Sequence, residues 1–143
     1  MKRFLLDTNI LSQPTHPTPH PSVLAKLAEH RQEVATAAVV WYELWYGCRR
    51  LPPSRKRQRI EAYLLALLNT DLPILPYTPQ AADWHAKERT RLTSLGKTPT
   101  FADGQIAAIA YVHGLILVTR NQSDFANFEN LLIENWFADE PAR

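Results

Sequence analysis

The stretch FLLDTNIL, residues 4–11, decides the fold because a carboxylate follows directly on a short apolar run. Phe4 to Leu6 predict a short buried strand that ends at Asp7, and TNIL predicts the first turns of a helix. An ionised carboxylate that is buried without a partner is very costly, so such groups neutralise, pair or bind a metal. Asp7 is therefore either turned to the surface at a turn or held in place for a chemical purpose.

The composition indicates one ordinary globular domain, which we assign to residues 1–143 with a frayed tail at about 138–143. Of the 143 residues, 45% are hydrophobic and 21% are charged, and the net charge is only +2. No apolar run approaches the roughly 20 residues that span a membrane, and Asp7 interrupts any signal-peptide core. The single cysteine, Cys48, excludes an intrachain disulfide and favours a reducing cytoplasm, and we expect it to be a small core or interface residue.

Short apolar runs alternate with helical patterns along the chain, which predicts an α/β fold with a parallel sheet sandwiched between helices. LILVT is a continuous apolar run, as in a central parallel strand that is buried on both faces. In such sheets, ligands bind beyond the carboxyl ends of the strands. The strands and extended pieces predicted after the first lie in EVATAAVV at 33–40, LPILPYT at 72–78, LILVT at 115–119 and LLIENW at 131–136.

Helix boundaries are signalled by capping residues and glycines. Ser22 is expected to cap a short helix after an extended proline-rich loop at 14–21, and Thr78 is expected to cap a longer helix that ends at Gly96. A helix that begins near Val39 shows apolar or small residues at helical spacing, which predicts a buried stripe. The stripe consists of Val40, Leu44, Gly47 and Leu51.

Four acids lie where a parallel sheet would bring distant segments together. Asp7 and Asp124 each come just after a predicted central strand, whereas Glu43 and Asp103 project from the apolar faces of their helices. Because parallel strands end at one edge of the sheet, the four carboxylates can converge there. Each also has an ordinary structural explanation: a helix cap for Asp7, a solvent-reaching side chain for Glu43, a capping box for Asp103 and a turn for Asp124.

Converged carboxylates repel one another, and a hard divalent cation is the usual counter-charge. Ligands that offer only oxygen, with no histidine or cysteine, suit Mg²⁺ or Mn²⁺ rather than zinc. Such a site lends itself to the hydrolysis of phosphate esters. Small polar neighbours either orient the acidic ligands or simply belong to turns. These neighbours are Thr8, Asn9, Thr119 and Asn121.

Four blocks in this order and spacing, FLLDTNIL, YELWYG, PTFADGQIAAIA and LVTRNQSDF, resemble the PIN domain of VapC-type toxins from bacterial type II toxin–antitoxin pairs. The resemblance covers residues 3 to about 136. It implies a PIN-like three-layer sandwich with four or five parallel strands, and an endoribonuclease that uses Mg²⁺, with Mn²⁺ as a substitute. It further implies a structured RNA substrate such as tRNA, a cytoplasmic location, a cognate antitoxin as inhibitor, a homodimer or toxin–antitoxin hetero-oligomer, and no membrane partner.

The resemblance also implies roles for individual residues. The catalytic set would be Asp7, Glu43, Asp103 and Asp124. Asp7 and Asp103 would be the principal metal ligands, with Glu43 and Asp124 in support of them. Thr8, Asn9 and Asn121 match polar positions of the family motif.

A basic segment, RRLPPSRKRQR at 49–59, contains no acid and could neutralise RNA phosphates around an acidic pocket. A solvated surface is the alternative explanation for such a run. The residues that we assign to RNA binding are Arg49, Arg50, Arg55, Lys56 and Arg57.

Two aromatic pairs at helical spacing precede this basic segment. Trp41 and Trp45 form one pair and Tyr42 and Tyr46 the other, each four residues apart. The amount of aromatic surface predicts that part of it contacts a protein partner, with simple packing against a neighbouring helix as the alternative.

Three other functions fit parts of the pattern. The first is a catalytically inert PIN-like module that binds RNA or protein, although such a module need not keep all four acids. The second is a phosphatase with Asp7 as nucleophile, but that chemistry needs a second acid where Asn9 stands. The third is a structure-selective DNA nuclease, a class whose chains carry helical insertions for which 143 residues leave little room.

Overall fold

A computed structural model of the protein describes residues 1–137, and the tail expected at about 138–143 lies outside the described residues. Within residues 1–137, five short strands form one parallel sheet in the order β3-β2-β1-β4-β5. The strands are β1 at Phe4–Leu6, β2 at Val34–Ala37, β3 at Ile74–Leu75, β4 at Ile116–Val118 and β5 at Ile133–Glu134. The prediction of an α/β fold with four or five parallel strands is confirmed.

Helices flank the sheet and supply most of its covering layers. They are α1 at Thr8–Leu11, α2 at Pro21–Glu29, α3 at Ala38–Arg49, α4 at Arg55–Leu67, α5 at Pro79–Ser94, α6 at Phe101–Val112 and α7 at Gln122–Phe125. Alternation of short strands with helices makes this layered arrangement the natural way to bury both faces of a parallel sheet.

The central strand β1 explains the apolar run at the start of the chain. Phe4, Leu5 and Leu6 are all buried, with at most 2% of any of them exposed. A strand that alternated apolar and polar residues would place polar groups in one of the two helix-covered faces. Three consecutive apolar residues therefore suit the centre of the sheet, and the first polar residue, Asp7, comes where the strand ends.

Helix caps follow the sequence signals at several ends. The Thr78 hydroxyl accepts a hydrogen bond from the Ala81 amide, as expected for the cap of α5. Thr100 caps α6 in the same way. Gly96 has a φ of 71°, a left-handed conformation that glycine adopts without steric cost and that closes the segment after α5.

The expected cap of α2 and the expected end of the proline-rich loop are wrong. Helix α2 already begins at Pro21, because proline fits the first helical position, and its cap residue is His20. The hydroxyl of Ser22 instead donates a 2.9 Å hydrogen bond to the carbonyl of Trp136. The segment 14–21 also starts in a 3₁₀ turn, Gln13–Thr15, and is not wholly extended.

The predicted stripe of α3 is half right. Val40 and Leu44 are buried as expected, but the next buried position is Cys48 and not Gly47. The face continues at a spacing of four residues, and the helix ends at Arg49, so Leu51 lies beyond it. Cys48 is 2% exposed and belongs to the core, as expected.

None of the helices formed by residues 1–137 has the length and apolar character that crossing a membrane requires.

Candidate functional site

The candidate site lies at the carboxyl edge of the sheet, where the order of the strands reverses. The chain runs outward from β1 through β2 to β3, whereas β4 and β5 lie on the other side of β1. Ligands of open α/β sheets bind at such a switch point. Leu6 is paired with Val118, so Asp7 and Thr119, the next residues along the two strands, lie side by side.

Asp7 is nearly buried, with 6% of its surface exposed, and both of its carboxylate oxygens are hydrogen-bonded. Oδ1 accepts from the backbone amide of Thr8 at 2.8 Å, and Oδ2 accepts from the Thr119 hydroxyl at 2.8 Å. Burial raises the pKa of Asp7, and the nearby charges of Glu43 and Asp124 raise it further, against the lowering effect of the two hydrogen bonds. The ionised carboxylate is therefore firmly oriented but short of positive charge.

Glu43 projects from α3 toward the same edge and is tied to it through Thr8. The Thr8 hydroxyl donates a 2.7 Å hydrogen bond to Oε1 of Glu43, while the Thr8 amide serves Asp7. One residue of α1 thus orients two acids that are far apart in the sequence.

Asp103 lies in the first turn of α6 and is half-buried. Its backbone amide donates to the hydroxyl of the cap residue Thr100 at 3.2 Å. Burial raises the pKa of Asp103, the Thr100 hydroxyl lowers it, and the charges of Asp7 and Asp124 raise it. Asp7 and Asp103 are therefore close enough to influence each other's ionisation.

An open cavity of about 330 Å³ is lined by most of the predicted acids and of their predicted polar neighbours. Asp124 is not in its lining but shares a neighbouring cavity of about 310 Å³ with Asp103, so it stands at the side of the pocket. The lining of the first cavity consists of Asp7, Thr8, Asn9, Glu43, Asp103 and Asn121.

The predicted polar neighbours differ in what they contact. Thr8 and Thr119 bond directly to acids. Asn9 instead accepts a 3.1 Å hydrogen bond from the backbone amide of Arg120, and the Asn121 amide donates to the Thr119 hydroxyl at 3.1 Å. The Asn9 side chain therefore braces the loop after β4, and the backbone amide of Asn121 supports the Thr119 hydroxyl that bonds Asp7.

The donor set fits a hard cation. The side chains that line the pocket offer carboxylate, hydroxyl and amide groups, and no imidazole or thiol is among them. In the part of the chain that the structure describes, no three Asp, Glu, His or Cys side chains form a complete metal cluster by themselves. The oxygen donors of the pocket are of the kind that hard divalent cations take.

The predicted RNA-binding residues fall into three kinds. Arg57 is part of the fold, because its guanidinium donates to Glu61 at 2.9 Å and to the Leu51 carbonyl at 3.1 Å. Arg49 and Arg50 lie over aromatic rings, with 4.5 Å from the Arg49 guanidinium to the Trp45 ring centre and 5.5 Å from that of Arg50 to Tyr46. The side chains of Arg55 and Lys56 are exposed at the start of α4.

Two residues near Asp103, His85 and Gly104, are not among the residues that the sequence predicts for the site. His85 of α5 is buried against α6, where its imidazole meets Gly104. Ala81, His85, Glu88 and Leu92 are the buried positions of α5, at helical spacing. That spacing was the available signal, because it places a histidine on the face that packs inward.

A family model described as "PIN domain" matches residues 4–131 of the chain. Among curated proteins, the chain is 32% identical to "Toxin FitB" of Neisseria gonorrhoeae, over 93% of this chain and 98% of that protein. It is 31% identical to "VapC ribonuclease Y4jK" of Sinorhizobium fredii, over 97% of this chain and 99% of the relative. It is 28% identical to "tRNA(fMet)-specific endonuclease VapC" of Salmonella typhimurium, over 95% and 99% of the two chains.

Solved structures show the same arrangement over nearly the whole chain. FitAcB from Neisseria gonorrhoeae matches with a TM-score of 0.81 and 31% identity, covering 94% of this chain and 98% of that one. DNA-bound VapBC from Salmonella typhimurium matches with a TM-score of 0.80 and 27% identity, covering 95% and 99%.

Proposed function

The chain belongs to the PIN domain family, and on that premise we propose that it is a metal-dependent endoribonuclease toxin of the VapC type. Its relatives over nearly the full length are named as VapC ribonucleases and as a toxin. Its structural neighbours are FitAcB and VapBC complexes, so its partner is an antitoxin that inhibits it. The proposal assigns residues 1–143 to one PIN domain.

The observation that carries the proposal is the convergence of Asp7, Glu43 and Asp103 on one open pocket at the switch point of the sheet. Burial raises the pKa of both aspartates, and like charges raise it further. A structural site would relieve this repulsion with a lysine or arginine. A pocket that instead keeps three acids together favours binding of a divalent cation.

We assign Mg²⁺ to this pocket, with Mn²⁺ as a substitute, and Asp7 and Asp103 as its principal ligands. When bound, the cation supplies charge stabilisation at the phosphoryl oxygens and lowers the pKa of a coordinated water. Thr119 and the Thr8 amide hold the two oxygens of Asp7 in fixed directions. Thr8 also holds Glu43, which would orient the attacking water. Asp124 completes the acidic pocket from the neighbouring cavity that it shares with Asp103.

The substrate is RNA, and we propose a structured RNA such as tRNA, in line with the relative named as a tRNA(fMet)-specific endonuclease. We assign the exposed cations of the segment 49–59 to RNA binding, because an acidic pocket repels phosphates unless cations offset its charge. Of these, Arg55 and Lys56 are exposed at the start of α4, and we assign them to direct contact with the RNA backbone. Arg49 and Arg50 act together with the rings that they cover, and Arg57 acts only by holding the start of α4.

Tyr42 and Tyr46 offer a surface for a protein partner. Their side chains are 63% and 55% exposed, and their rings are stacked with centres 5.9 Å apart. Tyrosine is enriched in protein interfaces. We propose that this face of α3 takes part in a homodimer or a toxin–antitoxin hetero-oligomer. We also propose that the protein works in the cytoplasm, where the single buried thiol stays reduced.

The test is cleavage of end-labelled cellular RNA by the purified protein, in Mg²⁺, in Mn²⁺ and in EDTA. Three proteins are compared: the wild type, Asp7→Asn, and Asp83→Asn as a matched control. Asp83 is a surface acid of α5 whose carboxylate pairs with Lys87 at 3.0 Å, and it is not among the residues that line the pocket. We expect discrete fragments from the wild type and from Asp83→Asn with either metal, and none in EDTA or from Asp7→Asn.

Two results would contradict the proposal. Cleavage that survives EDTA, or that Asp7→Asn performs as well as the wild type, would show that the pocket does not do the chemistry. RNA binding without cleavage under every metal condition would favour the inert RNA-binding module.

A further inference from the structure

His85 occupies an unusual position between α5 and α6. The residue is 2% exposed, and its Nδ1 lies 2.7 Å from the hydroxyl of Tyr77. Its other ring nitrogen, Nε2, is buried and has no hydrogen-bond partner among the residues that the structure describes. A buried polar atom without a partner is costly, so the one hydrogen bond at Nδ1 does not by itself account for the buried position of the ring.

The ring fits only because residue 104 is glycine. A Cβ placed on Gly104 would overlap the imidazole, with Nε2 nearest and with Cδ2 and Cε1 at 2.6 and 2.8 Å. Gly104 lies inside α6, where glycine weakens a helix relative to alanine. The absence of a side chain is therefore explained by the imidazole that takes its place.

The same ring also contacts the first residue of α6. The centres of the His85 and Phe101 rings are 5.1 Å apart, and Tyr77 closes the cluster with its ring centre 6.4 Å from that of Phe101. The cluster thus holds residues 101 and 104 of one helical turn, and Asp103 lies in that turn.

We propose that His85 is a positioning residue that, through Gly104 and Phe101, sets the place of Asp103 in the cation pocket. The inference rests on the proposed function, because it assigns a purpose to the placement of Asp103. Burial and the charge of Arg89 lower the pKa of His85, which favours the neutral form of the ring that packs against Gly104 and Phe101. The His85 ring sets the distance between α5 and α6. Because Asp103 lies on α6, this distance also sets how close Asp103 lies to Asp7.

A histidine that merely fills the core would affect stability alone. A positioning residue must also change the affinity of the metal-free protein for a divalent cation, and kcat, while the KM for RNA stays nearly constant. Cation binding is therefore measured directly, by titrating Mn²⁺ into RNA-free protein and following free Mn²⁺ by electron paramagnetic resonance. Circular dichroism confirms that each variant is folded.

Three variants and one double variant decide the question. Gly104→Ala pushes the ring away, and His85→Ala removes it; each should weaken Mn²⁺ binding at least about tenfold and lower kcat similarly, with KM within about twofold of the wild type. His85→Phe keeps a ring of similar size and should stay within about threefold in affinity. The double variant His85→Ala/Gly104→Ala relieves the overlap, so its loss should be clearly smaller than the product of the two single losses.

The contrary results are equally definite. If His85→Ala is folded and binds Mn²⁺ like the wild type, the positioning role is wrong, whether or not Gly104→Ala folds. If the two single losses simply multiply in the double variant, the ring and residue 104 do not act together, and the inference fails. If the wild type itself binds no Mn²⁺ at a site that Asp7→Asn removes, the proposed function fails first and this inference with it.

Discussion

The two principal acids of the pocket are held in different ways. Asp7 ends the central strand, is 6% exposed, and has both oxygens bonded, one by the start of α1 and one by the end of β4. Asp103 stands on a helix, is half-buried, and is supported by the cap of its own helix and by the packing of α5. One acid is fixed by the sheet and the other by a contact between helices.

The two kinds of support indicate which side of the pocket is rigid and which side can be adjusted. Asp7 follows directly on β1, whose residues are buried at the centre of the sheet and paired with β4, so the position of Asp7 is set by the packing of the whole sheet. The position of Asp103 depends on a few side chains between α5 and α6. Loss of a group that holds Asp7 should therefore cost both stability and activity, and loss of a group that holds Asp103 should cost mainly activity.

The largest effect is expected from removing either charge. Asp7→Asn and Asp103→Asn should each lower the rate of RNA cleavage by at least about 10³-fold, the range seen when one catalytic group is lost. The rate constants come from single-turnover cleavage at saturating Mg²⁺. If one variant keeps more than about a tenth of the activity, the two acids are not equal partners, and the acid that was lost is the dispensable one.

A second pair of variants compares the hydroxyls that serve the two acids. Thr119→Val removes the donor to Asp7 and the acceptor of the Asn121 amide, and should cost about 1–3 kcal/mol of stability because buried polar groups lose their partners. It should also lower activity about 10–100-fold, as expected when a residue that orients a metal ligand is lost. Thr100→Val should cost only about 1 kcal/mol, the value of a helix cap.

Urea denaturation gives both stability changes, and cleavage gives the activities. A greater loss of stability in Thr100→Val than in Thr119→Val would reverse the assignment of the rigid and adjustable sides.

The pH dependence of stability provides a third test, made in EDTA. The pKa of Asp7 is raised above its ordinary value of 3.8, so the folded state holds the proton more tightly than the unfolded state. The resulting stabilisation is complete below 3.8 and is lost as the pH rises through the raised pKa. Relative to Asp7→Asn, the wild type should therefore lose stability from about pH 4 upward.

The matching comparison with Asp103→Asn should give the same sign and a smaller change, because Asp103 is only half-buried. Thermal denaturation across the pH range measures both differences. A wild type that gains stability over Asp7→Asn as the pH rises would show that Asp7 is satisfied without a cation.

The smallest effect concerns the side from which RNA approaches. Lys56 lies in the first turn of α4, the helix that comes after α3 and Glu43. Lys87 lies on α5, the helix that supports Asp103. Lys56→Glu should weaken RNA binding and reduce the slope of log affinity against log salt by about 0.7, the value for one phosphate contact on a single strand. Lys87→Glu, the matched control, should leave the slope unchanged. An equal change of the salt slope in both variants would indicate that RNA responds to the overall charge of the protein and does not contact Lys56 at a defined site.

Several residues of the fold and of the candidate site could be predicted from the sequence. The cost of burying a charge singles out Asp7, and Thr119, which ends the apolar run LILVT, is named among the polar neighbours that either orient the acids or belong to turns. Both conclusions depend only on local pattern and on the rule that parallel strands share one edge. The cap at Thr100 and the glycine at position 96 were likewise local signals that the structure follows.

Other features were beyond sequence reasoning, mostly because the partners are remote in the sequence. Arg57 is a local case: within a basic run it looks like its exposed neighbours, and only the structure shows that its guanidinium is bonded to Glu61 and to the Leu51 carbonyl. Ser22 is bonded to Trp136, 114 residues away, a contact that no local pattern announces. His85 and Gly104 are each unremarkable in the sequence, and only the approach of α5 to α6 relates them.

The hydrogen bond from Thr119 to Asp7 joins residues 112 positions apart. During synthesis the first strand, with Asp7 at its end, leaves the ribosome long before the strand that must lie beside it. A nascent chain that has not yet reached residue 119 cannot orient this carboxylate, so it cannot build the pocket. The order of the strands in the sequence therefore delays the activity. The ribosome that makes this protein is not exposed to the chain's own nuclease activity until nearly all of the chain has been translated.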